Sequence, residues 1–333
     1  SGAEATLVNK AKQLFKPLLQ DMATVEFPTL APRVELGKKL FFDPRLSADG
    51  TVACATCHRP ALYGTDALPK SIGVEHRLNA RNAPTVLNAA LHFKAHWIGD
   101  RANVEEQAMK SLLGQASFGN PDNAAVIRKI KALPGYERAF AQAFPNDREP
   151  VQSENWGKAI GAYERTLVTP SPFDAYLRGD AKALTPQAQA GLKLFIDLDC
   201  VSCHNGVTVG GAAFRKFGVV GDYWKETGSQ AIDEGRHKKT QDPADKYVFK
   251  VPSLRNVSMT PPYFHDGSVA TLPEAVRIMA RLQLGKRLSE KEICNIVAFL
   301  QSLTGELPAD FQRAPALPPA AFPVVVGGSA NAR

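Results

Sequence analysis

The sequence predicts a mainly α fold of two tandem domains built on one plan, and three observations carry that expectation. The pattern Cys-x-x-Cys-His occurs twice, as Cys54-Ala55-Thr56-Cys57-His58 and as Cys200-Val201-Ser202-Cys203-His204. A matching heptapeptide precedes each copy, GKKLFFD at 37–43 and GLKLFID at 191–197. Each half then closes on a run with helical apolar spacing, at 154–167 and again at 289–303.

Taken in chain order, residues 1–21 read as a leading helix expected to pack on the second domain. The first domain spans 22–168. It opens with the short amphipathic helix at 37–43, which turns Leu40 and Phe41 inward, and closes on a helix with Trp156, Ile160 and Tyr163 at helical spacing. Ser171-Pro172-Phe173-Asp174 marks the boundary. The second domain, 169–305, repeats the order: Leu194 and Phe195 inward, the cysteine pair, then a closing helix with Ile293, Ile296, Val297 and Leu300 and a stop at Gly305. Cys294, on that apolar pattern, reads as a buried, inert thiol. Residues 306–333 are Pro/Ala-rich and read as an extended strap or a disordered end.

With 333 residues, 44% hydrophobic and 22% charged, the chain has room for two domains and can bury a core, which excludes a disordered tail. No window approaches the ~18 apolar residues of a membrane span. Ser1-Gly2-Ala3-Glu4 has neither the basic start nor the apolar stretch of a signal peptide.

The repeated motif supplies the chemistry. Two thiols three positions apart can each form a thioether with a haem vinyl group, and the following His is then held beneath the iron as its proximal ligand. A zinc ribbon also uses such cysteine pairs, but ~15–20 residues apart. Two covalently attached haem c groups are therefore expected, on Cys54, Cys57 and His58 and on Cys200, Cys203 and His204. Covalent attachment takes place outside the bacterial inner membrane, so a trimmed periplasmic chain is expected. The charge of +7 omits four haem propionates, so it points only weakly to an acidic partner, and nothing predicts nucleic-acid binding.

Further motifs resemble those of the bacterial di-haem cytochrome c peroxidases and the related MauG-type enzymes. They are RNAPT at 81–85, Trp97 with Gly99 and Arg101, EQA at 106–108, YERTL at 163–167, VPSLRNV at 251–257 and YFHDG at 263–267. The resemblance implies a peroxidatic haem on His58 that reduces hydrogen peroxide. It implies a high-potential haem on His204 that accepts electrons from a small donor protein, a c-type cytochrome or a cupredoxin. Trp97 aligns with a Trp lying between the haems, and Met279 with the Met completing the second iron. A Met/His pair raises the potential of its iron. The residues alone leave Met259 equally open as the thioether ligand. Asn82, Thr260 and Pro262 align with the holders of an interdomain Ca2+, and Gln107 with a residue that orients peroxide. A homodimer is compatible with the resemblance.

Two positions depart from the family pattern. Where many members carry a His that caps the peroxidatic iron, this chain has Val74, and His76 lies two places on. An open first haem that needs no reductive activation is therefore expected. Where members carry a carboxylate that shuttles a proton between the peroxide oxygens, this chain has Ser117. Glu106 is taken as the replacement, with Glu105, Glu75 and His76 as alternatives, and His92 and His96 flank Trp97 without an assigned role. The leading expectation is a peroxidase. A MauG-like oxidase of a protein substrate, and a pure electron carrier with Met109 closing the first iron, are the alternatives.

Overall fold

The computed structural model describes residues 2–320, whose regular structure is helical apart from one two-stranded sheet, with long irregular connections between the helices. The helices before residue 170 are α1 (Gly2–Leu14), α2 (Ala31–Phe42), α3 (Cys54–Cys57), α4 (Val104–Ser111), α5 (Asn123–Ala132), α6 (Tyr136–Ala143) and α7 (Ser153–Glu164). Beyond it come α8 (Pro172–Leu177), α9 (Pro186–Asp197), α10 (Tyr223–Thr227), α11 (His237–Thr240), α12 (Leu272–Leu284) and α13 (Glu290–Gln301). Strand β1 (Phe214–Lys216) pairs antiparallel with β2 (Val248–Lys250), Arg215 opposite Phe249.

The two heptapeptides lie at the ends of longer helices, α2 and α9. The start of α9 was written in the sequence: Thr185 accepts a hydrogen bond from the Ala188 amide at 3.1 Å, and Pro186 occupies the first turn. Ser289 and Glu292 form a capping box on α13. Each opening helix crosses its closing helix at a glycine. A Cβ on Gly37 would sit 1.8 Å from the Ala159 carbonyl oxygen, and one on Gly191 would sit 1.8 Å from that of Asn295. The backbones touch, which lets Phe41, Trp156, Ile160 and Tyr163 fill one core and Leu192, Phe195, Ile293 and Phe299 the other.

A second internal repeat joins the halves. PTVLN at 84–88 corresponds to PSLRN at 252–256, and both asparagines adopt left-handed backbone conformations. The Asn88 and Asn256 amides each donate to the Thr169 hydroxyl at 2.9 Å. Arg81 adds a two-pronged ion pair to Asp233.

The chain ends cross between the halves. Phe15, just after α1, packs edge-on against Phe173 at 5.2 Å. Beyond α13 the chain returns to the first core, where Phe311 is fully buried against Phe41 and Asp310 pairs with Lys38 at 2.5 Å. Of the expected strap, residues 321–333 lie outside the described residues. Two expectations are corrected. Cys294 is exposed, because it follows Ile293 by one place and so faces about 100° away from the buried stripe. Leu194 is only half-buried, its neighbours Leu192 and Ile196 pointing inward instead.

Candidate active site

Both motifs close in the same way. The His58 amide donates to the Cys54 carbonyl at 3.0 Å and the His204 amide to the Cys200 carbonyl at 2.9 Å, winding cysteines and histidine into one turn. The rings are then fixed by a second bond. His58 Nδ1 lies 2.9 Å from the Gly64 carbonyl and His204 Nδ1 lies 3.2 Å from that of Val209. A carbonyl only accepts, so the proton sits on Nδ1 and the Nε2 lone pair is left for a metal. Burial pulls both imidazoles down, His204 to about 4, which keeps them in the neutral, ligating form.

The second motif faces a cavity of about 350 Å3. His204, Cys200, Cys203 and Met279 line it, with Phe195 and Leu272 among its apolar walls. Three basic side chains, Arg215, Lys216 and Lys250, stand on its wall beside one acid, Asp199, once the Arg255–Asp174 ion pair is set aside. An apolar space with two thiols, a free imidazole nitrogen and a basic wall fits a haem with its anionic propionates. Met279, on α12, is half-buried and faces His204's cavity, whereas Met259 is 43% exposed and does not line it.

Trp97 also lines this cavity, its indole N–H donating to the Asn82 carbonyl at 3.0 Å. His96, next to it, forms a bond of 2.8 Å to Asp100 and lies near enough to His58 for the two charges to disfavour each other. The 96–97 dipeptide thus reaches from the first motif to the second cavity. Thr260 and Pro262 lie on the cavity wall, and Asn82 is fastened by its amide N–H2 to the Leu68 carbonyl at 2.8 Å and by its backbone N–H to the His265 carbonyl at 2.7 Å.

On the first-domain side, Val74 is buried, while Glu75 and His76 are exposed. The loop carrying Val74 is pressed against residues 114–119, since a Cβ on Gly73 would lie 2.0 Å from the Ala116 carbonyl oxygen. Ser117 donates its hydroxyl to the carbonyls of Ser111 and Gly114, at 2.8 and 3.1 Å. Glu106 accepts from the Ala102 amide and pairs with Lys110 at 2.6 Å, while Asn103 accepts from the Glu106 amide, so Glu106 belongs to the N-terminal cap of α4. Those two partners hold its carboxyl below the ordinary glutamate range. Gln107 is half-buried with no side-chain hydrogen bond among the described residues. Met109 packs its Cβ on Gly157 of α7.

Two charged residues, Glu164 and Lys250, have no role that the sequence assigns. Glu105 is buried and holds Arg165 with both oxygens, at 2.6 and 3.1 Å. That leaves its buried neighbour Glu164 facing the Cys54 thiol, and burial together with the Glu105 charge pushes Glu164 up to about 8. Lys250 is the other, buried on the wall of the large cavity. Neither follows from spacing, because the burial of a single charge is set by which helices meet over it.

The profile of the family described as di-haem cytochrome c peroxidase matches residues 31–182, and that of cytochrome c matches 188–304. The cytochrome c551 peroxidase of Pseudomonas aeruginosa is 42% identical over 91% of this chain and 87% of its own length. The enzyme of the same name from Nitrosomonas europaea is also 42% identical, over 88% and 85%. The methylamine utilization protein MauG of Methylophilus methylotrophus is 33% identical over 85% of each. Among solved structures, a MauG-like protein associated with microbial copper homeostasis superposes with a TM-score of 0.80 at 29% identity, over 90% of this chain and 97% of that one. With two attachment motifs of matching geometry and relatives aligned along most of its length, the chain is an oxidoreductase of the cytochrome c peroxidase type and belongs to the di-haem cytochrome c peroxidase family.

Proposed function

We propose that this chain is a periplasmic peroxidase in which electrons from a small donor protein enter at a Met279/His204 haem and pass by way of Trp97 to an open haem on His58. The observation that carries the reading is that His204, Met279 and Trp97 line one cavity, while a buried Val stands where the resemblance implies a capping His. The bound irons supply one-electron redox chemistry, and the overall reaction takes two electrons and two protons to convert hydrogen peroxide into two waters. The protein's own part is positional. Gly64 and Val209 fix the tautomers of the proximal histidines, and Asn82 holds the Trp97 indole. Gln107 offers a free amide to orient peroxide, whereas Ser117 and Glu106 are committed to local structure. A Ca2+ is proposed at the Asn82 side-chain oxygen and the Thr260 and Pro262 carbonyls, with water completing its shell.

The MauG relatives favour a second reading, oxidation of a protein substrate. The Met279 thioether on the cavity wall supports the first, since a high-potential Met/His haem suits electron entry. Steady-state assays with a reduced small cytochrome decide between them. The peroxidase reading expects two cytochromes oxidised per peroxide consumed, and absence of donor oxidation overturns it.

A further inference from the structure

The large cavity carries a charge that its own walls do not balance. Lys250, at the end of β2, is 5% exposed. Its Nζ lies 2.9 Å from His92 Nδ1 and 3.0 Å from the Lys94 carbonyl, and no carboxylate pairs with it among the described residues. A buried ammonium held only by neutral acceptors is costly, and buried charges are ordinarily paired. Burial draws this lysine down to about 8, so at neutral pH it still carries its proton in most molecules. An ammonium donates and never accepts, so His92 Nδ1 is the acceptor and the His92 proton sits on Nε2, which finds no partner of its own. Two of the three ammonium hydrogens are thereby used, and the third has no acceptor among the described residues.

The cavity wall already counts more bases than acids, and the group that fits it brings two carboxylates. We propose that Lys250 holds a propionate carboxylate of the haem attached at Cys200 and Cys203, and that it thereby fastens the Trp97 segment to that haem. The second half follows from where Lys250 is bonded. Its side chain grips His92 and Lys94, and its backbone N–H donates to the Trp97 carbonyl at 2.8 Å. One residue of the second domain thus holds both ends of the 92–97 stretch. A carboxylate on its third hydrogen makes the haem part of the same network. Lys250 is a positioning residue: it acts through the place of Trp97 and through the charge it sets beside the second haem.

The inference rests on the reading that a haem fills this cavity, and the test separates the two. Intact-mass measurement of the holoprotein first counts the haems; a single haem overturns the occupancy reading itself. With two haems present, the second haem of Lys250→Met and Lys250→Arg is titrated potentiometrically between pH 5 and 8. Losing a unit charge from a low-dielectric wall is worth about tenfold in the reduction equilibrium, about 59 mV for a one-electron couple. The Met variant is expected to have the lower potential, with most of the loss at high pH and recovery as the unpaired propionate takes up a proton. The Arg variant is expected to stay near the parent. A Met variant with two haems and the parent's potential and pH dependence overturns the inference. If the Met variant does not retain both haems, the crystal structure of the unaltered holoprotein decides. Nζ within hydrogen-bond distance of a propionate oxygen is expected, and a propionate turned away from Nζ overturns it.

Discussion

The backbone N–H of Val74 donates to the Ser117 carbonyl at 3.1 Å. The two positions at which the sequence departs from the pattern its resemblance implies are therefore bonded to each other. The loop that would carry a capping ligand and the loop that would carry a proton-shuttling carboxylate form one packed unit, closed at Gly73 against Ala116. The two departing positions thus carry a buried aliphatic side chain and a hydroxyl committed to two backbone carbonyls, while Glu75 and His76 on the same turn are exposed.

Ser117 is consequently a structural residue. Ser117→Ala is expected to cost about 1 kcal/mol of stability through the lost hydrogen bonds and to leave kcat/KM for peroxide within about twofold. Ser117→Glu reintroduces a group that can take and return a proton, and is expected to raise kcat/KM by about 100-fold. Steady-state kinetics on both variants checks this; a large loss in the Ala variant would mean that the hydroxyl takes part in turnover.

Met279 and Met259 are distinguished by one substitution each. Met279→Leu removes the thioether from the second cavity, so the low-spin spectrum of that haem is expected to be lost and its potential to fall. Met259→Leu alters an exposed side chain and is expected to change neither. Absorption and magnetic circular dichroism spectra of the ferric variants check the assignment, and the reverse pattern would transfer the ligand role to Met259.

Glu164 makes the first domain pH-sensitive. Burial, with the Glu105 charge beside it, raises this carboxyl from its ordinary 4.5 to about 8. The folded protein holds a proton that the unfolded chain releases, so the contribution to stability is full below pH 4.5 and is lost as pH rises through 8. Glu164→Gln keeps the shape and removes the titration. Its melting temperature is expected to match the parent below pH 4.5 and to exceed it increasingly up to pH 8. Thermal unfolding across that range checks the sign, and parallel curves would show that Glu164 ionises normally.

The duplicated plan was legible because it rests on local signals: the cysteine pairs, the helical period of Trp156, Ile160 and Tyr163, and the glycine that opens each heptapeptide. The glycines proved to mark the helix crossings, where no Cβ fits. The repeat of PTVLN in PSLRN lay in the sequence too, though its meaning needed Thr169, the residue on which both asparagines meet. Asn103-x-x-Glu106 is a capping pattern, and the partners of Glu106 are those of a helix start. Cys294 differs from the expectation because adjacency to Ile293 in sequence is not membership of its helix face. Phe311 gave no warning of its burial, because a lone aromatic in a Pro-rich segment has no period, and only its contact with Phe41 defines where it goes. Glu164 and Lys250 are the same case for charge.

The proposed function centres on a first haem left open, because Val74 stands where the family resemblance implies a capping His. Electron paramagnetic resonance of the fully oxidised holoprotein tests it directly. A high-spin ferric signal from one haem beside a low-spin signal from the other is the predicted spectrum. A spectrum in which both haems are low-spin would mean that a protein side chain closes the first iron, and would contradict an enzyme that is open at rest.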